Sequence, residues 1–492
     1  MVRTSALLLL ALPLAASALE TPLSRRAQRH QSEDLFGAQL ALDMQMMQEA
    51  GYNISEALGA SDELERLQKT LQKRAATTGF NYGGSSKVRG VNLGGWLVSE
   101  PFIKPSLFLG VHKRDSRIVD EYTFCRYHPD GRAAARAALM QHWASWMTEA
   151  DIKAIAAAGL NHVRIPIGYW ALGVVPANEY YISGALYYLK LAVLWAGRAN
   201  LRVLIDLHGA PGSQNGFDNS GRQGPIEWHT SADNVARTKK LLLALVAEFQ
   251  QSKYTNIVTA IQPLNEPAGF VDGVLPVAKQ YYLDSYKIVR FGGTSKANKL
   301  LFNIHDVFVG LSYWTGFMAK ATSYSNVMSD THIYTMFDDV QIKYTDAQRI
   351  QKYCSYSSDV SALSAGGKRP IVGEWTAAST DCSGKIPGIT YKSTDTVKGL
   401  GGGARYDGTA IGATYKVGSC TGKTGSGANF SSAYKASLRK FYEVQTTVYE
   451  RGSGWIMWTW KMESGDDWSY QAGLKYGWIP KNPTEKKYGN QC

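Results

Sequence analysis

IVTAIQPLNEP, residues 257–267, begins as a buried strand and ends as something else. Ile257 to Leu264 is apolar and β-branched, Asn265 and Glu266 then bring an amide and an acid to its lip, and Pro267 forbids the strand to continue. The same figure recurs in VRGVNLGG (88–95), HVRIPIG (162–168), RVLIDLHG (202–209), KLLFNIHD (299–306), VMSDTHIY (327–334), RPIVGEWT (369–376) and GWIMWTWKM (454–462), eight runs in all. Helix-like stretches such as EADIKAIAAAG (149–159), ALYYLKLAVLWAGRA (185–199) and ARTKKLLLALVAEFQQ (236–251) lie between most of them. Strands alternating with helices predict an α/β fold with parallel sheet, and eight units predict a closed (β/α)8 TIM barrel with long loops on its C-terminal face. An open doubly wound sheet is the alternative, but Gly94-Gly95 opens no phosphate-binding GxGxxG.

The composition fits a large globular core. The chain of 492 residues is 45% hydrophobic and only 19% charged, which argues against disorder. Its formal net charge of +12 permits attraction to anionic surfaces, yet the basic residues are scattered and no Lys/Arg block of five occurs. Nucleic acid is therefore not an expected partner.

The first residues read as targeting sequence. Arg3 precedes the apolar run SALLLLALPLAASA, which is too short to span a membrane and ends in small residues at Ala16 and Ala18, so residues 1–18 are expected to be a cleaved secretory signal. Residues 19–74 carry amphipathic spacing (Leu35, Leu40, Met44, Met47) and end at the dibasic pair Lys73-Arg74, which predicts a propeptide and a catalytic domain of residues 75–492. No later run of about 18 apolar residues appears, so membrane insertion is not expected. Cys125, Cys354, Cys382, Cys420 and Cys492 show no C-x-x-C spacing and are expected to form disulfides with one thiol left over, Cys492 among the paired. Sequons stand at Asn53 and Asn429.

In a parallel barrel the C-terminal strand ends converge on one face, and that face carries the active site. Nearly every run here ends in a polar group: Glu100, Arg164, His208, Asn265-Glu266, His305-Asp306, His332 and Tyr334, Glu374, then Trp460 and Glu463. Glu266 and Glu374 stand out because each directly follows apolar strand residues. Two facing carboxyls perform glycoside hydrolysis, with retention when they lie about 5–5.5 Å apart and inversion at about 6.5–9.5 Å. Arg164 is a natural cation to hold one of them ionised, and Phe217, Phe337, Trp375 and Trp460 offer faces for pyranose rings.

LNEP and VGEW resemble the acid/base and nucleophile signatures of glycoside hydrolase family 5, a retaining (β/α)8 family. RGVNLGGWLVSEPF, NHVRIPIGYWAL, DLHGAPGSQNGFDNSG, ARYDGT, GSGWIMWTWKMES and DDWSYQAGL, in this order, resemble its fungal exo-β-1,3-glucanases over essentially all of 80–492. The resemblance implies Glu266 as acid/base, Glu374 as nucleophile and Asn265 at the sugar 2-hydroxyl. It implies Arg164 orienting Glu374, His332 and Tyr334 beside the cleavage point, and His208, Glu100 and Asn219 on the terminal glucose. Trp460 is implied as the floor, and Phe217 and Phe337 as an aromatic clamp at the entrance. Thr335-Met336 and Cys125-Arg126-Tyr127-His128 depart from the pattern, in loops that shape the end of the pocket. The expected function is a secreted, monomeric, cofactor-free enzyme, extracellular or in the cell wall, that releases glucose from β-1,3-glucan. A disaccharide-releasing (rutinosidase-like) enzyme or an endo-glucanase keeps the same chemistry with an opened pocket. A non-catalytic carbohydrate-binding protein would have no use for both acids.

Overall fold

A computed structural model describes residues 79–492 apart from Gly83 and residues 173–174, 320–323, 385–402 and 411. The expected signal and propeptide segments, and the sequon at Asn53, lie outside the described residues.

Eight parallel strands close into a barrel in chain order: β1 (Val88–Asn92), β2 (His162–Gly168), β3 (Arg202–Gly209), β4 (Val258–Gln262), β5 (Leu301–His305), β6 (Val327–Ile333), β7 (Arg369–Trp375) and β8 (Gly454–Met457), with β8 paired to β1. Each lies within a run expected to be a strand. Strands covered on both faces need no alternation of polar and apolar residues, and every residue of β2 and β3 is buried. Glu149–Ala157, Ala185–Arg198, Ala232–Phe249, Val274–Phe291, Asp346–Ala365 and Ser432–Tyr449 form the outer helices. Several start on a side-chain cap that satisfies the free amides of the first turn: Thr148 on Asp151, Ser231 on Asn234, Thr345 on Gln348. Between β5 and β6 the described residues hold one 3-10 helix, Leu311–Trp314, and no α-helix.

The barrel interior is graded from apolar to charged. At its base Val88, Leu204, Ala260, Leu301, Met328, Ile371 and Ile456, from seven different strands, form one cluster. Phe80 and Tyr82 close it from beneath, the Tyr82 hydroxyl bridging His162 Nε2 at 2.6 Å and Thr259 Oγ1 at 2.5 Å. Above that layer the interior positions are Asn92, Arg164, Asp206, Gln262, Asn303 and Asp330, all fully buried. Gly373 belongs to this layer by necessity, since a Cβ there would lie 2.3 Å from the Asp330 carboxylate that accepts its amide.

Disulfides join Cys354 to Cys492 and Cys382 to Cys420, while Cys125 is a buried thiol. The first pins the C-terminal residue, as expected of a terminal cysteine. Asn429 is exposed. No helix among the described residues is long and apolar enough to cross a membrane.

Candidate active site

The carboxylate at the lip of β4 sits where the backbone is strained. The strand ends at Gln262, earlier than the apolar run suggests, and Glu266 holds φ at 45°, a left-handed conformation that costs a non-glycine residue about 1–2 kcal/mol. Gln214 holds it there: its side-chain amide donates to the carbonyls of His208 and Asn265, and its own carbonyl accepts from Ala268. The turn aims Glu266 across the barrel mouth. Glu374 comes from the last turn of pleat in β7, and a register shift between Thr331 and His332 sets His332 directly beside it.

His332 Nδ1 lies 2.6 Å from Glu266 Oε1 and 3.5 Å from Glu374 Oε2. Those two contacts share one atom, so these oxygens of the two acids can be no more than about 6 Å apart. Arg164 Nη1 donates to Glu374 Oε1 at 2.7 Å and to Asn92 at 2.8 Å, while its other nitrogens reach Asn265 at 2.7 Å, Gln262 at 3.0 Å and Asp206 at 3.1 Å. Tyr334 donates its hydroxyl to Glu374 Oε2 at 2.9 Å, and Asn219 its amide to Glu266 Oε2 at 3.3 Å.

Burial and charge oppose each other at the three central groups. Burial acts to strip His332 of its proton, but the charges of Glu374 and Glu266 and the hydrogen bonds to Asp330 and Glu266 carry its pKa well above the ordinary histidine value. Burial likewise acts to raise Glu266, and the His332 charge and hydrogen bond, with His208 and Asn219, outweigh it and hold that carboxyl below its ordinary range. At Glu374 burial wins over the charges of His332 and Arg164, with the neighbouring Glu266 charge adding to the rise. These directions favour a proton on His332, whose Nδ1 lies within reach of both acids.

Glu266, His305 and His332 also bring potential ligand atoms within 4.8 Å of one another. His305 Nδ1, however, accepts the Val307 amide at 3.0 Å, which places its proton on Nε2 and leaves no lone pair there for a metal. The cluster suits proton sharing and does not fit a metal centre.

A cavity of about 550 Å³ opens over the pair. Of the residues expected at the site, Glu100, Phe217, Asn219, Glu266, Tyr334, Phe337 and Glu374 line it. Arg164, His208, Asn265 and His332 have buried side chains just behind them. His208 packs its ring against Trp458 (centroids 5.7 Å, 11° between planes) and bonds Asp206 at 2.5 Å. Trp460 is a correction. The chain leaves the sheet at Met457, so strand alternation no longer applies: Trp458 faces the cavity, and Trp460 is buried behind it, donating to Asp151 Oδ1 at 3.1 Å and stacking on Tyr470. Glu463, named with the strand ends, is paired with Lys104 outside the cavity.

The sequence reading missed Asp218, Gln223, Phe102, Phe270, Phe308, Trp458 and Trp468. Asp218 was within reach, since it stands between Phe217 and Asn219 in the same motif. Burial, with the Asp120 charge, pushes Asp218 up to about 6. Burial and the Asp218 charge push Glu100 well above its ordinary value although the Gly95 amide donates to it at 3.0 Å. A carboxyl that keeps its proton donates one hydrogen bond as well as accepting, so the pair can meet hydroxyls in either role.

The chain is 41% identical to a glucan 1,3-beta-glucosidase of Blumeria graminis over 87% of its own length and 93% of that protein's. It is 42% identical to a probable glucan 1,3-beta-glucosidase A of Aspergillus niger over 86% of its own length and 94% of the other's. The crystal structure of a rutinosidase from Aspergillus niger shares the fold, with a TM-score of 0.60 at 20% identity over 82% of this chain and 99% of that one. The sequence pattern described as Cellulase (glycosyl hydrolase family 5) spans residues 129–396, more than half of the chain. With eight parallel strands closed around two facing carboxyls, the chain belongs to glycosyl hydrolase family 5.

Proposed function

We propose that the chain is a secreted, monomeric, retaining exo-glucosidase that removes glucose from the non-reducing ends of β-1,3-glucan. The observation that carries this reading is the His332 bridge. It holds one oxygen of Glu266 and one of Glu374 within about 6 Å of each other, which supports the shorter, retaining separation over the 6.5–9.5 Å at which inversion seats a water between the acids. The glucan comes from the names of the relatives in Blumeria and Aspergillus.

Glu374 attacks the anomeric carbon, its carboxylate aimed by Arg164 and Tyr334, and the glycosidic oxygen leaves with a proton. That proton comes through Glu266. In the free site it rests on His332, 2.6 Å away, and a sugar that displaces water from Glu266 favours the neutral acid. Glu266 then takes a proton from water, whose oxygen releases β-glucose from Glu374. Asn265 serves the sugar 2-hydroxyl, Glu100, Asp218, His208 and Asn219 the remaining hydroxyls, and Trp458, which faces the cavity, serves as the floor in place of Trp460. Residues 1–18 act as signal and 19–74 as propeptide, so the mature chain starts near Ala75.

Digestion of laminarin followed by NMR tests the whole reading. β-Glucose should appear first. α-Glucose at early times would exclude retention, and a released disaccharide or a ladder of oligomers would exclude action one glucose at a time.

A further inference from the structure

Four of the exposed large apolar side chains among the described residues crowd one cavity: Phe217 (40% exposed), Phe270 (63%), Phe308 (40%) and Phe337 (54%). Phe270 joins two of the others. Its ring lies 6.4 Å from Phe217 at 27° and 5.6 Å from Phe308 at 52°, making a continuous strip of three rings along one wall. Exposed phenylalanine is unfavourable in water unless something covers it.

The backbone beneath the strip is over-determined. The Ala268 amide bonds Gln214 and the Val271 amide bonds Ala268, while Gly269 sits so close to the Val307 carbonyl that a Cβ would lie 2.2 Å from it. Val307 and Phe308 both adopt left-handed φ, 56° and 60°, held by His305 Nδ1 and the Asp306 carboxylate. Strain of this kind persists only where neighbours fix it, and here it fixes two exposed rings. Pre-set rings bind without the cost of ordering a loop.

We infer that Phe270 is a specificity-determining residue, the platform for the second leaving-side glucosyl unit, beyond the one held between Phe217 and Phe337. The inference rests on the β-1,3-glucan reading above. The strip rises from the loops that flank the proposed acid/base: Phe217 is two residues from Asn219, which donates to Glu266, and Phe270 is four residues beyond Glu266. Successive ring centroids 6.4 and 5.6 Å apart give it a length greater than one pyranose. Sugars bring their apolar C–H faces to such rings.

The test compares wild type, Phe270→Ala and Phe270→Tyr on nitrophenyl β-glucoside, laminaribiose, laminaritriose and laminaritetraose. Phe270→Ala should lower kcat/KM roughly threefold to tenfold on the triose and tetraose, through KM, and leave laminaribiose and the nitrophenyl glucoside unchanged. Phe270→Tyr should behave as wild type. A loss equal on all four substrates, or none on the longer ones, overturns the platform while leaving the glucan reading intact. A loss seen only with bulky aromatic glycosides also overturns it. Failure of the wild type to cut any laminari-oligosaccharide overturns both.

Discussion

Replacing Arg164 with Met removes the cation that lies 2.7 Å from Glu374 and 3.1 Å from Asp206, where both carboxylates are buried. Breaking a buried ion pair by deleting one partner costs about 3–5 kcal/mol, because the remaining charge is left without compensation. A barrel of roughly 400 residues unfolds with an entropy near 0.9 kcal/mol per kelvin, so the variant should melt about 3–6 °C below wild type near neutral pH. The pH dependence carries the sharper signature. Burial already holds the Glu374 carboxyl above its ordinary value, and the Arg164 charge lowers both it and Asp330. Without that charge both folded-state values rise. A carboxyl whose folded pKa exceeds its unfolded one contributes stability below the unfolded value and loses it as pH rises through the folded value. The deficit of Arg164→Met, measured by scanning calorimetry at one scan rate, should therefore shrink from about pH 7.5 to about pH 4. A deficit that grew on acidification, or none at all, would refute the assignment of Arg164 as the counter-charge of this site.

Glu374→Gln should abolish turnover on every substrate, whereas Glu266→Ala should cost on the order of 10² to 10⁴ except with leaving groups that need no proton. Azide should rescue Glu266→Ala as a β-glucosyl azide, and an α-azide would reverse the two roles. Trp458→Ala should lower kcat/KM on aryl glucosides, while Trp460→Phe should only reduce stability, by roughly 1 kcal/mol for one lost hydrogen bond; the opposite pattern would restore Trp460 as the floor. Burial raises Glu121 to about 7, Asp306 to about 6 and Asp467 to about 8, so the melting temperature should fall as pH rises from about 5 to 8. Glu121→Gln should flatten part of that slope, and an unchanged slope would count against its buried acid. Cys492→Ser opens a bridge of sequence separation 138, and a loss of about 2–5 kcal/mol should show as a lower melting temperature with activity retained at 25 °C.

The barrel was legible because its evidence is repetitive: eight apolar runs at helix-length spacing leave few topologies, and an error in any one of them is outvoted by the rest. Glu266, Glu374 and Arg164 were legible because a charge beside a buried strand has to have a reason. Phe270, Phe308 and Trp468 were not, since they sit on loops whose geometry depends on left-handed turns and on packing between loops distant in sequence. Trp460 shows the boundary between the two regimes. It was named with the strand ends by extending the run past Met457, where the chain has already left the sheet, and its role as floor was implied by the family resemblance. Asp306 likewise ends a strand run, yet its carboxylate is spent on the Phe308 amide and the Thr331 hydroxyl.

Phe80 and Tyr82 act as a cork against the base layer of the barrel, and a cork sets a limit on how far the chain can be shortened from its N-terminal side. The proposed cleavage after Arg74 would leave both rings in the chain. Trimming past Tyr82 would uncover the apolar base layer to water and strand the His162 ring and the Thr259 hydroxyl that Tyr82 now satisfies. The proposed maturation would therefore have a stopping point, set by residues at the opposite end of the barrel from the acids.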